Sequence, residues 1–587
     1  MGGRRGFFVF AWRGMLRFMK EKLEMVVVEA LGALGIEAGA VVLERPADSS
    51  HGDYATNAAL AYAKTVGISP RELAGKLVEK ILETSNEVIA SLEVAGPGFI
   101  NFRLSDEYFS QALRGAIEQG EKWGTNEKLK GKKVIVEYTD PNPFKEFHIG
   151  HLMSNAIGES ISRIVEASGA ETRRACYQGD VGMHVAKAVW GIMSLEKEGY
   201  ILAQDASAPK HAVYLGKAYA KGATAYDEDE RIKKEIIVIN KKIYEGGDPD
   251  VSSVYDMGKQ WSLYYFETIY KKLGTKFDYY FFESETGKFG KELVEKNIGG
   301  FFEQGEGGAV VYKGDEEKGL HTRVFINSEG LPTYEAKELG LAKIKYDTYP
   351  YDVSVVITGN EVNAYFRVLL DAMAKVFPDL AAKTVHISHG MLRLPTGKMS
   401  SRTGDVITAE SLIADTKEKA LSKISQELFS PSEQDELAEK VAIGAIKYSI
   451  LRQASGKDII FDFEQSLSFE GDSGPYLQYT YARTRSLLEK AGEKKIDALC
   501  AHAGTNALHK CILRFPETVL RASGEREPHH IATYLIELAR EFNSFYGNTM
   551  ILNDTEDESY KLALVKAVSQ TMKKGLDLLG ISAPERM

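Results

Sequence analysis

Cysteine is scarce in this chain, and long apolar runs are missing. Only 3 cysteines occur among 587 residues, Cys176, Cys500 and Cys511, and none belongs to a Cys-x-x-Cys pair. This spacing argues against a disulfide framework and a structural zinc site, so we expect a reducing, cytoplasmic location and no protein-bound metal. The lack of a long apolar run argues against a transmembrane helix, so we expect no membrane partner.

A surplus of basic residues is also missing. The chain has 73 Lys and Arg against 83 Asp and Glu, which gives a net charge of −10. A nucleic-acid partner would therefore need local basic patches, because phosphate contacts supply most of the affinity. With 44% hydrophobic residues, a chain of this length can bury several cores, so we expect three or four domains.

Residues 1–19 contain no acidic side chain but carry four arginines around an apolar stretch at 7–12. A secretory signal fits in outline, yet the apolar stretch is short and no clear small-residue cleavage site follows. A transit peptide fits poorly because serine is absent. We expect these residues to be an extension, with Met15 or Met19 as the working start.

The most informative motif is a strand-to-helix turn that ends in two histidines. Residues 134–136 are β-branched and predict a buried parallel strand, and apolar residues recur at helical spacing over 152–167. His148, Gly150 and His151 thus open a helix, where free N–H groups and the positive dipole end favour a polyphosphate. Gly150 also leaves room for a flat base. Alone, this motif could be a helix N-terminus with incidental histidines.

A second motif, Lys-Met-Ser-Ser-Arg at 398–402, follows another β-rich segment at 384–392. Together the two motifs resemble the signatures of class I aminoacyl-tRNA synthetases. The resemblance implies ATP as a substrate, with Mg²⁺ only as its counter-ion. It assigns ATP binding to His148, Gly150, His151, Gly390, Met391, Lys398 and Ser400, and catalysis to His148, His151 and Lys398.

One position departs from the class pattern. Ser401 stands where the class loop usually carries a second lysine. Lys145, three residues before His148, is the substitute that we expect, so we add it to the catalytic residues. The alternative is a lysine that only faces solvent.

The predicted fold is multidomain α/β. Strands and helices alternate over about 130–410, which predicts a parallel, Rossmann-like sheet with the nucleotide at its switch point. Beyond about 410 the pattern is helical, with an apolar stripe along residues 531–545. The expected units are an extension at 1–19, an α+β domain at 20–110, a catalytic domain at 125–415 with an insertion at about 195–325, a helical connector at 416–455 and a helical domain at 456–587.

The two outer units resemble those of arginyl-tRNA synthetases. Residues 20–110 are similar to the N-terminal domain that contacts the tRNA elbow in that family, and 515–546 and 584–587 are similar to its helical anticodon-binding domain. The resemblance implies tRNA contacts at Tyr476, Tyr479, Tyr546 and Met587. Core packing is the alternative for each aromatic residue.

The same resemblance implies an arginine pocket made of Glu137, Asn142, His148, Tyr334, Glu338 and Glu361. Glu338 falls where the family has a guanidinium-binding aspartate. A guanidinium needs carboxylates placed for forked, charge-assisted hydrogen bonds. Asp180, in a glycine-flanked turn, is a candidate for a ribose or amine contact or for simple turn formation.

The resulting hypothesis is a monomeric arginine–tRNA ligase that uses ATP, L-arginine and tRNA(Arg) and passes through an arginyl-adenylate. It would yield arginyl-tRNA, AMP and pyrophosphate. A catalytically inactive RNA-binding paralogue and a small-molecule nucleotidyltransferase are the rival classes. A cysteine or glutamine enzyme of the same class is a weaker rival.

Overall fold

A computed structural model describes residues 19–46, 48–84, 88–395, 408–425, 427–498 and 505–587. Residues 1–18, Lys398, Ser400, Ser401 and Cys500 lie outside these ranges, so the structure does not place them. In the described part of the chain, no helix is both long and apolar enough to cross a membrane.

The regular elements are numbered in chain order. The strands are β1 Leu43–Glu44, β2 Tyr54–Thr56, β3 Ile89–Ala95, β4 Phe99–Leu104, β5 Lys133–Glu137, β6 Glu171–Gln178, β7 Tyr279–Phe282, β8 Glu303–Gln304, β9 Val310–Tyr312, β10 Arg323–Ile326, β11 Val353–Gly359, β12 Thr384–His389, β13 Leu392–Arg393 and β14 Ile459–Ile460. The helices are α1 Met19–Ala33, α2 Ala58–Val66, α3 Pro70–Thr84, α4 Asp106–Gln119, α5 Ile149–Ala167, α6 Met183–Lys197, α7 Ala208–Glu228, α8 Glu230–Glu245, α9 Pro249–Leu273, α10 Glu283–Lys296, α11 Tyr334–Thr348, α12 Asn363–Val376, α13 Pro378–Lys383, α14 Ala409–Leu421, α15 Pro431–Leu451, α16 Phe463–Ser466, α17 Gly474–Ala491, α18 Ala507–Leu513, α19 Phe515–Glu525, α20 His529–Asn548 and α21 Glu558–Leu578.

The N-terminal unit is a small α+β domain, as the sequence predicts. Strands β1 to β4 form an antiparallel sheet in the order β1-β2-β4-β3. The Gly-Pro-Gly sequence at 96–98 turns β3 into β4, with Gly96 at a φ of 53°. Helices α1 to α3 share a core with this sheet, built around buried Leu23, Leu77 and Phe102.

The catalytic unit is a five-stranded parallel sheet in the order β12-β11-β5-β6-β7. The central strand β5 has a neighbour on each side, which is why residues 134–136 are apolar throughout and buried. From β5 the chain builds outward to β6 and β7 and then returns to β11 on the other side. The carboxyl ends of β5 and β11 thus meet at the switch point, where α/β sheets bind ligands.

The interval expected to be an insertion, about 195–325, is not uniform. Helices α7 to α9 form a helical bundle, and β8 to β10 form a separate antiparallel sheet. Between them, β7 pairs in parallel with β6 and so belongs to the main sheet, contrary to expectation. Its four residues, Tyr-Tyr-Phe-Phe, form a very short run without alternation of apolar and polar side chains, so the sequence gives no clear strand signal.

The last unit is helical from α14 to α21, apart from β14, which pairs with β13. The predicted stripe on α20 is buried in the core except for Phe545, which is partly buried against it. Its contacts with the catalytic unit are polar as well as apolar. The Ser160 hydroxyl donates to the Leu578 carbonyl at 2.8 Å, and Lys447 Nζ donates to the Leu273 carbonyl at 2.6 Å.

Candidate functional site

The loop between β5 and α5 has a strained backbone. Thr139, Asp140 and Phe144 have φ values of 81°, 44° and 67°, in the region that residues with a Cβ rarely adopt. Hydrogen bonds from neighbouring elements hold it there. The Thr139 N–H donates to Ser154 Oγ at 2.9 Å, and the Phe144 N–H donates to Ser262 Oγ at 2.8 Å. Such over-determined strain is typical of functional sites.

His148 and His151 cap the start of α5 reciprocally. The Gly150 N–H donates to His148 Nδ1 at 3.1 Å, and the His148 N–H donates to His151 Nδ1 at 3.3 Å. The two rings stack with their centroids 3.5 Å apart. Because each Nδ1 accepts a hydrogen bond, each neutral ring carries its proton on Nε2 and can donate it to a ligand.

Both histidines are neutral at physiological pH. Burial, assisted by the Lys145 ammonium, lowers the pKa of His148 to about 4. Burial and the neighbouring His148 hold the pKa of His151 well below its usual value. Gly150 permits this arrangement, because a Cβ there would lie 3.0 Å from the His148 ring. The pair thus offers hydrogen-bond donors rather than full charges.

Lys145 is a half-buried ammonium beside these rings. Its Nζ lies 5.2 Å from the centroid of the Tyr219 ring. Among the described residues, no carboxylate lies within ion-pair distance of it. Burial, with the Lys187 charge, lowers the pKa of Lys145. Lys145 is therefore a cation close to the histidine pair that no described acid neutralises.

Gly390 and Met391, two of the residues predicted to bind ATP, contact the segment that leads into β14. Gly390 packs against the backbone at Lys457, which explains the need for glycine there. The Met391 N–H donates to Asp458 Oδ1 at 2.9 Å, and the Met391 carbonyl accepts from the Ile459 N–H at 2.8 Å. Since its N–H already has a partner, Met391 has no free backbone donor for a base.

A cleft of about 430 Å³ opens at the carboxyl ends of the parallel strands. Five of the six residues predicted to bind arginine line it, namely Glu137, Asn142, Tyr334, Glu338 and Glu361. His148 does not line it. Tyr334 and Glu361 are exposed, whereas the Asn142 amide packs over Gly179, where a Cβ would clash. Sequence reasoning missed three further acids on this lining: Asp140, Glu283 and Glu335.

Three of the six acids on the lining have cationic partners. Glu137 Oε2 lies 2.6 Å from Lys345 Nζ, and Glu283 Oε2 lies 2.6 Å from Lys337 Nζ. Glu335 Oε1 lies 3.7 Å from the Arg323 guanidinium.

The other three acids, Asp140, Glu338 and Glu361, have no ion-pair partner among the described residues. Burial and then the Glu137 charge raise the pKa of Glu338 to about 8. The same two causes hold the pKa of Asp140 well above its ordinary value. These two carboxyl groups therefore stay protonated near neutral pH, and an incoming cation would favour their ionised form.

Asp180 is buried, and both of its carboxylate oxygens accept hydrogen bonds from neighbouring elements. Its Oδ2 accepts from the Tyr255 hydroxyl at 2.8 Å, from Lys259 Nζ at 2.7 Å and from Ser284 Oγ at 2.7 Å, and its Oδ1 accepts from the Ser284 N–H at 2.8 Å. These contacts join the turn after β6 to α9 and α10. They favour the structural alternative over a ribose contact.

A second cavity, of about 600 Å³, lies between the connector and the helical domain. Tyr476, Tyr479 and Met587 line it, as does Arg483, which sequence reasoning missed. The Arg483 guanidinium lies 4.8 Å from the Tyr479 ring centroid and 4.9 Å from that of Tyr546. All four residues predicted to contact tRNA thus lie in or beside one aromatic groove. The four-residue spacing from Tyr479 to Arg483 on a helix was the available signal.

Three family models match successive parts of the chain between residues 20 and 587. Residues 113–463 match the family described as tRNA synthetases class I (R), catalytic domain. Residues 20–104 match the arginyl tRNA synthetase N terminal domain, and residues 477–587 match the DALR anticodon binding domain.

Similar whole proteins share these units. The arginine–tRNA ligase of Treponema pallidum is 31% identical over 98% of this chain and 99% of its own length. That of Flavobacterium psychrophilum is 31% identical over 89% of this chain and 90% of its own length. The solved arginyl-tRNA synthetase of Thermus thermophilus is 26% identical and superposes with a TM-score of 0.79, over 97% of this chain and 100% of its own. This chain therefore belongs to the class I arginyl-tRNA synthetases, which ligate arginine to tRNA(Arg).

Proposed function

We propose that ligation proceeds in two steps, with each substrate bound by one of the features described above. In the first step, an oxygen of the arginine carboxylate attacks the α-phosphorus of ATP. The bond to the β-phosphate breaks, and pyrophosphate leaves. In the second step, a hydroxyl of the terminal tRNA ribose attacks the carbonyl of arginyl-adenylate, and AMP leaves. No covalent enzyme intermediate is needed, so catalysis consists of positioning and charge stabilisation.

The start of α5 binds the phosphates of ATP. The Nε2–H groups of His148 and His151 donate to phosphate oxygens at the positive end of the helix dipole. Lys145 supplies the second cation that Ser401 cannot, beside Lys398. Mg²⁺ accompanies ATP as its counter-ion. The described residues contain no group of three acidic, histidine or cysteine side chains that could hold a metal, so we assign Mg²⁺ no protein ligand.

The acidic cleft binds arginine. Glu338 accepts hydrogen bonds from the guanidinium, and Tyr334 closes the rim. Asn142, Glu137 and Glu361 lie nearer the α-amino and carboxylate groups. Lysine lacks the planar fork and would leave buried acceptors unpaired, so the cleft should reject it strongly.

The aromatic groove between the connector and the helical domain binds tRNA. Tyr476, Tyr479 and Tyr546 offer rings on which bases can stack, and Arg483 adds a cation between two of them. We place the enzyme in the cytoplasm, as a monomer that binds one tRNA(Arg).

The observation that carries this proposal is the acidic cleft at the switch point beside the histidine pair. The test is aminoacylation of a tRNA(Arg) transcript with each of labelled arginine and lysine. We expect charging with arginine only. RNA binding without charging would favour the inactive paralogue, and adenylylation of a small molecule without tRNA would favour the nucleotidyltransferase.

A further inference from the structure

Asp140 occupies an unusual position in the cleft. It lies three residues after Glu137, and its backbone φ of 44° is one of the strained values in this loop. Its Oδ1 accepts from the Tyr177 N–H at 2.7 Å, at the carboxyl end of β6. Its Oδ2 has no hydrogen-bond partner among the described residues, and the side chain lines the cleft.

The cleft has few carboxylates left for a cationic substrate. Glu137 is paired with Lys345, Glu283 with Lys337 and Glu335 with Arg323, and Glu361 is exposed at the rim. Asp140 and Glu338 are therefore the remaining carboxylates at the depth of the cleft. A guanidinium presents five N–H donors in one plane, more than a single carboxylate can accept, so a second carboxylate has donors to bind.

We infer that Asp140 is a specificity-determining residue that binds the arginine guanidinium together with Glu338. Its strained backbone directs one oxygen to the β6 backbone and leaves the other open to the cleft. The inference deepens the proposed function and rests on it. A second carboxylate acceptor favours arginine over lysine, because the planar guanidinium has donors for two carboxylates and the lysine ammonium is a single point charge.

The charges around Asp140 and Glu338 couple arginine binding to the release of a proton. The charged groups that face the two carboxyls are Glu137 from β5, Glu283 from the start of α10 and Lys345 from α11, and the neutral Tyr365 hydroxyl from α12 lies beside Glu338. The Glu338 charge also raises the pKa of Asp140, so the pair retains a proton near neutral pH. A guanidinium favours the ionised pair, so arginine binding should release that proton.

The first test compares arginine with its analogue that lacks the α-amino group, by calorimetric binding to the full chain at pH 7.5. Asp140→Asn keeps the acceptor for the Tyr177 N–H and removes only the charge. We expect it to weaken binding of both ligands equally, by about 10- to 100-fold. Asp140→Glu should restore part of the affinity. Asp352→Asn is the matched control, because Asp352 also accepts a backbone N–H, from Lys133 at 2.8 Å, at the other end of the sheet.

Two results would overturn the inference. If only arginine bound more weakly, Asp140 would contact the α-amino group. If the affinity for neither ligand changed, Asp140 would only anchor the carboxyl end of β6. Wild-type protein that binds neither ligand would instead refute the proposed function, so the two failures can be told apart.

The second test measures proton release in buffers of different ionisation enthalpy at pH 7. We expect wild type to release close to one proton per arginine, as a pair sharing a proton requires. Asp140→Asn should release clearly less, because it removes a carboxyl group whose pKa lies well above its ordinary value and which can therefore give up the proton. Equal release from both proteins would contradict a shared role, and this readout would not change if Asp140 were merely structural.

Discussion

Lys345 and Glu137 form an ion pair in the interior of the catalytic domain, with Nζ 2.6 Å from Oε2 and both side chains almost fully buried. The pair joins the last residue of β5 to α11. Glu338 lies two turns earlier on the same helix, so the pair fixes the helix that carries the proposed guanidinium acceptor. A buried pair need not add net stability, but it specifies this arrangement.

Lys345→Met should destabilise the catalytic domain by about 3–5 kcal/mol, because it leaves the Glu137 charge buried and unpaired. The measurement is urea unfolding followed by tryptophan fluorescence. Replacing both residues, by Glu137→Leu with Lys345→Met, should recover much of the loss. A single variant as stable as wild type would mean that Glu137 finds solvent or another cation.

His148→Ala should slow arginyl-adenylate formation by about 10²- to 10³-fold, as loss of one preorganised donor does elsewhere. Arginine affinity should hardly change, since His148 does not line the acidic cleft. Rapid-quench measurement of pyrophosphate release tests both points, with the exposed His321→Ala as control. An unchanged rate would remove His148 from the chemistry.

The pH profile gives an independent check on His148. Its depressed pKa, about 4, means that the ring gains a proton only well below pH 6. At saturating substrates, the rate of adenylate formation should therefore show no step near pH 6.5, the ordinary histidine value. A step there that disappears in His148→Ala would contradict the neutral ring described above.

Lys145→Ala should reduce adenylate formation by about 10²-fold and leave tRNA affinity unchanged, because it removes a cation acting on the phosphates. Lys145→Arg should retain part of the rate. Pyrophosphate exchange and filter binding of tRNA report the two effects separately, and the exposed Lys276→Ala serves as control. Should exchange be unaffected, Lys145 does not replace the lysine missing at Ser401.

Arg483→Ala should weaken tRNA(Arg) binding by about 5- to 100-fold, the range for loss of one stacking contact. The effect should diminish at high salt, since part of it is electrostatic. Titration of labelled tRNA measures it, and Arg521→Ala, an exposed arginine paired with Glu525 at 2.9 Å, is the matched control. Equal affinities of both variants would show that the groove is not a tRNA surface.

Local pattern was enough to predict the elements around the histidine turn. The β-branched run at 134–136 lies within Lys133–Glu137, and the apolar spacing from 152 lies within Ile149–Ala167. Both signals are local in the sequence. The strand is apolar throughout because both of its faces are buried, and the helix has apolar spacing because one of its faces is buried. The α+β N-terminal domain and the helical C-terminal domain are likewise confirmed.

Relationships over long sequence distances could not be predicted. Lys345 lies 208 positions from Glu137, so nothing local indicates that this carboxylate is already paired. Asp140 is exceptional through its backbone angle and the partners that β6 and α11 bring to it. β7 was missed because pairing with β6, not its own sequence, makes it a strand. Lys398 and Ser400 remain predictions, since they lie outside the described residues.

Pyrophosphate exchange with each of the twenty amino acids, with and without bulk tRNA, measures both arginine activation and its specificity. We expect exchange with arginine alone, and a steep rise in the arginine requirement for Glu338→Ala, because a charge-assisted contact is lost. Exchange with a different amino acid would contradict the proposed pocket. Absence of exchange with tRNA present, in a folded protein, would contradict the catalytic account as a whole.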